Sequence, residues 1–410
     1  MTERFDVAVV GGGPAGALVA MQVARAGRSV VVLEQAAAWR WRAGGVFSTP
    51  ATVAALRAAG IPGSLLAATA RPIPGLRVET PGGAAFRLTY GAAEPGDATA
   101  AGFDRSVLDP ALLALAAAAG ADVRRGTSVG GVTLGDGRRV DAMLAVRGSS
   151  GADGRIHAGV IVGADGRRSL VAQAAGVTRT PHLADRVGLS WHVADEPGEA
   201  PRDGRMVVLP GGAYCGLAPV PGGRVNVGIV LAGRGWRDRL ASEGAAAVGV
   251  AILALVPPRT GDAEAWRTGA ITDGIAGASP LGVRVARRAG PGWLLVGDAA
   301  GFLDPFTGEG LHRAVVSAAL AAEALDVHFA GRDANALRAY DRAMGGRFGR
   351  KDLVSLVVQS FLTRPALFEY AARRMARRPG IRETMGLVMG DLVPASRAFD
   401  PRFLAALLAP

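Results

Sequence analysis

Gly11, Gly13 and Gly16 stand in GxGxxG spacing directly behind the apolar run Phe5 to Val10, and Glu34 follows a second apolar run, Ser29 to Leu33. Those residue types at that spacing can hold a pyrophosphate. Gly11 permits a tight turn, Gly13 lets the backbone approach the phosphates, and Gly16 lets a helix pack closely on its strand. Pro14 and Ala15 open that helix, whose first amides lack internal partners and attract an anion. Glu34 lies where a carboxylate accepts hydrogen bonds from a ribose hydroxyl pair and repels a 2′-phosphate. With strand, helix, second strand and terminal acid in register, the stretch predicts a dinucleotide-binding βαβ unit.

Two further clusters narrow the ligand. Val162 to Ser169 reads VGADGRRS, carrying Asp165, and Trp293 to Gly310 reads WLLVGDAAGFLDPFTGEG. In the second, an apolar strand ends at Gly297-Asp298, a Pro305-x-x-Gly308-x-Gly310 turn follows, and a helix opens at Gly310 and Leu311. A carboxylate at Asp298 can hold a polyol. Helix amides after Gly308 can face the pyrimidine edge of an isoalloxazine, where partial positive charge favours the anionic reduced ring. NAD has neither ribityl chain nor isoalloxazine, so the expected cofactor is FAD.

The elements that position these clusters are legible in outline. Asp109 and Pro110 predict a helix start, Gly120 its end, and a strand follows over 121–124. From 181 to 231 the pattern changes to short β segments, VGLSWHV, GRMVVLP, GAYCGLAPV and GRVNVGIVL, separated by Pro-Gly-Gly turns. These predict an antiparallel sheet with one face on a core and the other toward a cavity. Phe47, Trp191 and Asn226 are the candidate substrate contacts. Tyr214 and His192 are the candidate catalytic groups, since a phenol or imidazole can orient substrate or give a proton. The stretch Leu353 to Arg382 reads as one helix mixing apolar residues with Arg373, Arg374, Arg377 and Arg378; the first expectation is that it packs over the substrate domain with its arginines solvated, the alternative that it lies on a lipid surface.

Composition excludes several classes. Half of the 410 residues are hydrophobic, enough for sizeable cores. Cys215 is the only cysteine, which rules out an internal disulfide, a zinc cluster or a thiol pair, and no metal site is expected. The net charge of +11 comes from 45 arginines spread along the chain beside a single lysine, Lys351, so nucleic-acid binding is not expected. The first strand begins within five residues and no run of 18 apolar residues occurs, which predicts a cytoplasmic protein touching membranes at most peripherally.

Together, GGGPAG, the Arg105 segment, ADGRRS and GDAAGFLDPFTGEG resemble the FAD-dependent family of para-hydroxybenzoate hydroxylase and geranylgeranyl reductase, over roughly residues 1–330. The resemblance implies an α/β fold: a Rossmann-like FAD domain of the glutathione-reductase type (1–75, 100–180, 281–330), an antiparallel-sheet substrate domain (76–99, 181–280) and a C-terminal helical region (331–410). It also implies that Glu34 binds the adenosine ribose, Arg105 contacts the ribityl or phosphate region, and Val129 meets adenine through its backbone. Asp298 would hold the ribityl chain, and Asp165 would serve an Asp-Gly motif linked to both FAD and NAD(P)H. NADPH or NADH, or a separate reductase, would supply electrons.

The chain departs from the reductases in two places. Their Cys-Gly-Gly segment near the flavin is Ala43-Gly44-Gly45 here, and their Tyr-x-Trp-x-Phe-Pro motif is Tyr214-Cys215-Gly216-Leu217-Ala218-Pro219. Loss of two large rings enlarges whatever space that strand faces. The first expectation is therefore an NAD(P)H-driven monooxygenase, hydroxylating or epoxidising a small or medium apolar molecule. The alternative is reduction of carbon-carbon double bonds in an isoprenoid or other lipophilic substrate. A halogenase or an electron-transfer flavoprotein ranks behind both.

Overall fold

The computed structural model describes residues 2–90, 99–135, 142–148, 153–182, 185–195, 202–233, 235–257, 270–331, 333 and 335–408. Strand Thr2–Val10 lies at the centre of the larger sheet, parallel to Val30–Glu34 on one side and to Asp153–Gly163 on the other. Trp293–Leu295 and Asp122–Arg125 extend the parallel set outward. Val7 to Val9 and Val30 to Val32 are buried in the core shared with the covering helices and with strands Ser128–Thr133 and Ala142–Arg147, which is why these strands read as unbroken apolar runs. Helix Pro14–Arg25 packs on this sheet, with Ala17 to Met21 sealed from solvent.

The second sheet runs Ala276–Ala278, Val187–Ala194, Arg224–Leu231, Tyr214–Val220, Gly204–Val208, Gly75–Glu79, Ala85–Thr89. It is antiparallel except where Gly204–Val208 pairs parallel with Gly75–Glu79. One face packs on helix Gly235–Ala254 through Leu189, Trp191, Cys215, Val227 and Ile252. The other face carries Met206, Val208, Tyr214 and Val230 and meets the C-terminal helices through Leu362, Phe368, Phe403 and Leu407.

Two sequence expectations change. Helix Arg105–Ala118 starts five residues earlier than Asp109-Pro110 suggested: Asp104 caps it, accepting from the Ser106 amide at 2.9 Å, and Pro110 lies inside. Asp109 is thereby freed to pair with Arg105. The single helix expected over Leu353 to Arg382 is three helices, Ala336–Leu362, Pro365–Arg377 and Pro379–Met389. Pro365 and Pro379 each fill a first helical position and disfavour helical backbone in the residue before them.

Candidate active site

Three clusters far apart in sequence meet at the carboxyl ends of the central parallel strands. A Cβ on Gly11, whose φ is +102°, would lie 2.4 Å from the Ala164 carbonyl oxygen, and one on Gly297 would lie 2.9 Å from the Ala15 Cβ. The Asp165 and Asp298 turns therefore press against the two ends of the glycine loop. Gly16 is equally confined, its Cβ position 2.0 Å from the Gly11 carbonyl oxygen, but a Cβ on Gly13 would meet nothing within 4 Å beyond its own chain neighbours. Helix Pro14–Arg25 has no side-chain cap at Gly13, so its leading amides look into that open space. This is a cradle a phosphate can fill.

The carboxylates around the cradle differ in how far they are already used. Glu34 accepts the Gly12 amide on Oε2 at 2.8 Å, and the Ala36 amide at 2.9 Å and Arg42 Nη2 at 3.1 Å on Oε1. Oε2 thus retains acceptor capacity for a sugar hydroxyl. Asp165 accepts the Leu170 amide at 2.7 Å through Oδ2, while its buried Oδ1 has no partner. Asp298 is half-buried; burial raises its pKa against the pull of Arg167, Arg105 and Arg313, and no hydrogen bond holds it among the described residues. An open cradle and two unsatisfied carboxylate groups fit a dinucleotide bearing a polyol chain.

Arg105 is more committed than the sequence suggested. Its Nε and Nη2 grip Asp109 at 2.5 and 2.8 Å, and Nη1 donates to the Gly45 carbonyl at 2.9 Å. Burial works against its charge, but Asp109 outweighs it and holds the guanidinium above its ordinary pKa. Arg105 thus fixes the segment Ala43 to Gly45 beside the cradle. Val129 lies on strand Ser128–Thr133, paired with Arg147-side residues of Ala142–Arg147.

On the catalytic side, Asp304 anchors the Pro305 turn. It accepts the Phe306 amide at 2.9 Å, Gln359 Nε2 at 2.6 Å and the Tyr214 hydroxyl on Oδ1, while Oδ2 pairs with Arg186 at 2.9 Å. Gly308 follows with φ +68°, its Cβ position 2.5 Å from Phe47, so only glycine fits there. Gly310 and Leu311 begin helix Gly310–Phe329, which has no side-chain cap. Arg186 and Gln359 were invisible in the sequence, since each reaches Asp304 from a different element; Asp304 itself stood in the quoted motif.

The substrate face sorts the remaining candidates. Alternation along Val187–Ala194 sends His192 to the face shared with Tyr214 and Asn226, and Trp191 to the other. Trp191 is buried against Gly249 of helix Gly235–Ala254, with 3.0 Å between the ring and a Cβ there, so it is a core residue and not a substrate contact. Asn226 Nδ2 donates to Ser190 Oγ and to the Trp191 carbonyl, both at 3.1 Å. His192 shares Nδ1 with Asp273 at 2.6 Å and packs edge-on against Trp41, 4.5 Å between ring centres. Gly216 and Gly228 face each other between the Tyr214 and Asn226 rows, and both are partly open while Cys215, Val227 and Ile229 behind them are buried.

Burial lowers the His192 pKa from its ordinary 6.5, with Asp273 pulling the other way. A histidine held neutral by the fold contributes stability present above its unfolded pKa and lost as pH falls through the folded value. Melting temperature is expected to decline on acidification below about pH 6.5, with a shallower decline in His192→Gln. An unchanged slope in that variant would remove His192 as the source.

Lys351, the one lysine, is fully buried. Its ammonium donates to the Val388 and Met389 carbonyls at 2.5 and 3.3 Å and pairs electrostatically with Glu309 at 2.9 Å and Asp391 at 3.6 Å, so it is committed within the protein. Among the described residues no group of histidine, cysteine and carboxylate side chains could hold a metal, and no helix is long and apolar enough to cross a membrane.

Known proteins share this architecture. A family model described as FAD binding domain matches residues 4–208. The chain is 30% identical to a protein named menaquinone reductase from Mycolicibacterium smegmatis, over 96% of this chain and 93% of the relative. It is 29% identical to a digeranylgeranylglycerophospholipid reductase from Methanoculleus marisnigri, over 83% and 82% of the two chains. A solved geranylgeranyl bacteriochlorophyll reductase-like structure from Thermoplasma acidophilum superposes with a TM-score of 0.78 at 24% identity, covering 98% of both chains.

Proposed function

Because the chain belongs to the FAD binding domain family and is an FAD-dependent oxidoreductase, we propose that it reduces carbon-carbon double bonds in an isoprenoid-bearing lipid, drawing electrons from NADH or NADPH. Bound FAD supplies hydride chemistry at its ring. The observation that carries the reading is the sheet face between Tyr214 and Asn226, opened by the Gly216 and Gly228 pair and continued at the Tyr214 end by Phe302, Phe306 and the C-terminal helices. The glycines leave room on that face, and the apolar side chains of Val230, Phe302 and Phe306 beside it can pack against a flexible hydrocarbon chain. The reductase-named relatives support it, because the first matches the sheet and the C-terminal helices as well as the nucleotide-binding half. They move the balance from oxygenation, the first expectation from sequence, to alkene reduction.

In this reading the residues of the chain bind and orient. Gly13 and the amides after it hold the pyrophosphate, Glu34 the ribose and Asp298 the polyol. Burial and the Asp304 carboxylate push the Tyr214 phenol well above its ordinary pKa, so it keeps its proton and serves to position the Pro305 turn and the substrate. His192, held neutral, positions the opposite rim through Asp273.

The test is the product. FAD-bound protein reduced anaerobically with NADPH or NADH is mixed with a geranylgeranyl lipid and the product is weighed by mass spectrometry. A gain of two hydrogens per double bond is expected. Inert substrate without air, with gain of an oxygen atom once air is admitted, would replace the reading with monooxygenation. In Tyr214→Phe a fall in turnover of roughly tenfold with an unchanged pH profile is expected of a positioning residue. Loss of one limb of the profile would instead make Tyr214 a proton donor.

A further inference from the structure

The last 80 residues hold fourteen basic side chains against seven acidic, so most of the net charge of +11 lies in one-fifth of the chain. The same region carries six of the large apolar side chains left exposed: Leu353, Val357, Tyr370, Leu392, Leu404 and Leu408. Three of them adjoin. Leu404 and Leu408 are one turn apart on helix Pro401–Leu408, and the Tyr370 hydroxyl of helix Pro365–Arg377 donates to the Leu408 carbonyl at 3.0 Å. Arg378 ties the two helices a second time, donating to the Ala406 carbonyl at 2.6 Å. The apolar patch is thus a fixed feature of two docked helices.

Basic groups border the patch. The Arg374 guanidinium sits 5.8 Å from the Tyr370 ring centre. On the outer side of the same helix, Arg373 and Arg377 line an open pocket of about 310 Å³ whose other wall is the hairpin turn Gly82 to Ala85. Arg373 is paired with Glu369, but Arg377 is exposed and has no ion-pair partner among the described residues. Exposed leucines beside arginines, with one arginine opening on a pocket, match the border of an anionic bilayer: the apolar side chains enter the acyl boundary and the guanidiniums meet phosphates.

We infer that the face formed by helices Pro365–Arg377 and Pro401–Leu408 docks on an anionic lipid membrane. The surface would bring the enzyme to a lipid substrate of the kind proposed above, and so extends that reading, but docking is measured without turnover and either can fail alone.

The FAD-bound full chain is floated with vesicles of phosphatidylcholine, or of phosphatidylcholine with phosphatidylglycerol. Flotation only with the anionic vesicles, weakening as salt rises, is expected. Arg373→Glu with Arg377→Glu should lower the floated fraction roughly tenfold or more, as should Leu404→Asp with Leu408→Asp. Arg57→Glu with Arg284→Glu, an equal charge change on exposed sites elsewhere, should not. Unchanged flavin absorbance and melting temperature show that each variant is folded. No flotation of the unaltered protein overturns the inference, as does an equal loss in the control pair. Variants that turn a dimer into a monomer without changing flotation would make the face a contact between copies, which also overturns it.

Discussion

Gly13→Ala is expected to weaken FAD binding by roughly 100-fold while leaving the melting temperature of the apoprotein unchanged. Beyond its own chain neighbours, nothing among the described residues lies within 4 Å of the added methyl, so folding is indifferent to it. The methyl would occupy the cradle and keep a phosphate from at least two backbone amides. Each such charge-assisted hydrogen bond is worth about 1.5 kcal/mol, and about 1.4 kcal/mol is a factor of ten. Gly16→Ala is the contrast. Its Cβ would fall 2.0 Å from the Gly11 carbonyl oxygen, and helix and strand must part to admit it. Overpacking of this kind costs about 1–3 kcal/mol or more. Flavin fluorescence titration and calorimetry on both variants decide the matter: if Gly13→Ala destabilises the apoprotein as much as Gly16→Ala does, the loop is not an open cradle and the placement of the pyrophosphate fails.

Arg186→Met should be among the most destabilising substitutions in the chain, at about 3–5 kcal/mol. Arg186 is buried, and its guanidinium is the only cation paired with the equally buried Asp304 among the described residues. Through Asp304 it joins the sheet residue Tyr214, the Pro305 turn and Gln359 of helix Ala336–Leu362. Burial already raises the Asp304 carboxyl pKa, with Arg186 foremost in opposing it, and loss of the guanidinium raises it further. For a group with a raised folded pKa, stability is intact below the unfolded value and is lost as pH rises through the folded one. The deficit of Arg186→Met should therefore be largest at neutral pH and shrink toward acid. Urea melts at about pH 5 and about pH 8 measure it. Equal deficits at both would mean that Arg186 contributes packing alone.

Much of the nucleotide end was legible because it is local. Gly11 to Glu34 lie within one βαβ unit, where Gly16 is demanded by the Gly11 carbonyl, Gly11 by the adjoining Ala164 turn, and Gly13 faces open space. The turn from Gly297 to Gly310 announced itself for the same reason: Gly308 needs a positive φ that its own sequence supplies. The helix start at Asp109 was misread because two aspartates compete there, and only packing shows that Asp104 caps while Asp109 grips Arg105. The proline breaks after Thr363 and Arg377 were written in the sequence but were outweighed by the apolar and arginine pattern running across them.

The sequence by itself determined which cofactor half-site the chain builds and that a sheet alternates beside it, since turn geometry and a two-residue period are properties of neighbouring residues. It could not decide which side of that sheet faces the chemistry. Trp191 and His192 had to point opposite ways, and it took helix Gly235–Ala254 settling on one face to make Trp191 core and leave His192 on the other. The same holds for the charges. His192 finds Asp273 across 81 residues, and Arg186 finds Asp304 across 118. Burial and partner together set whether such groups hold or give a proton, and both exist only once distant segments have packed.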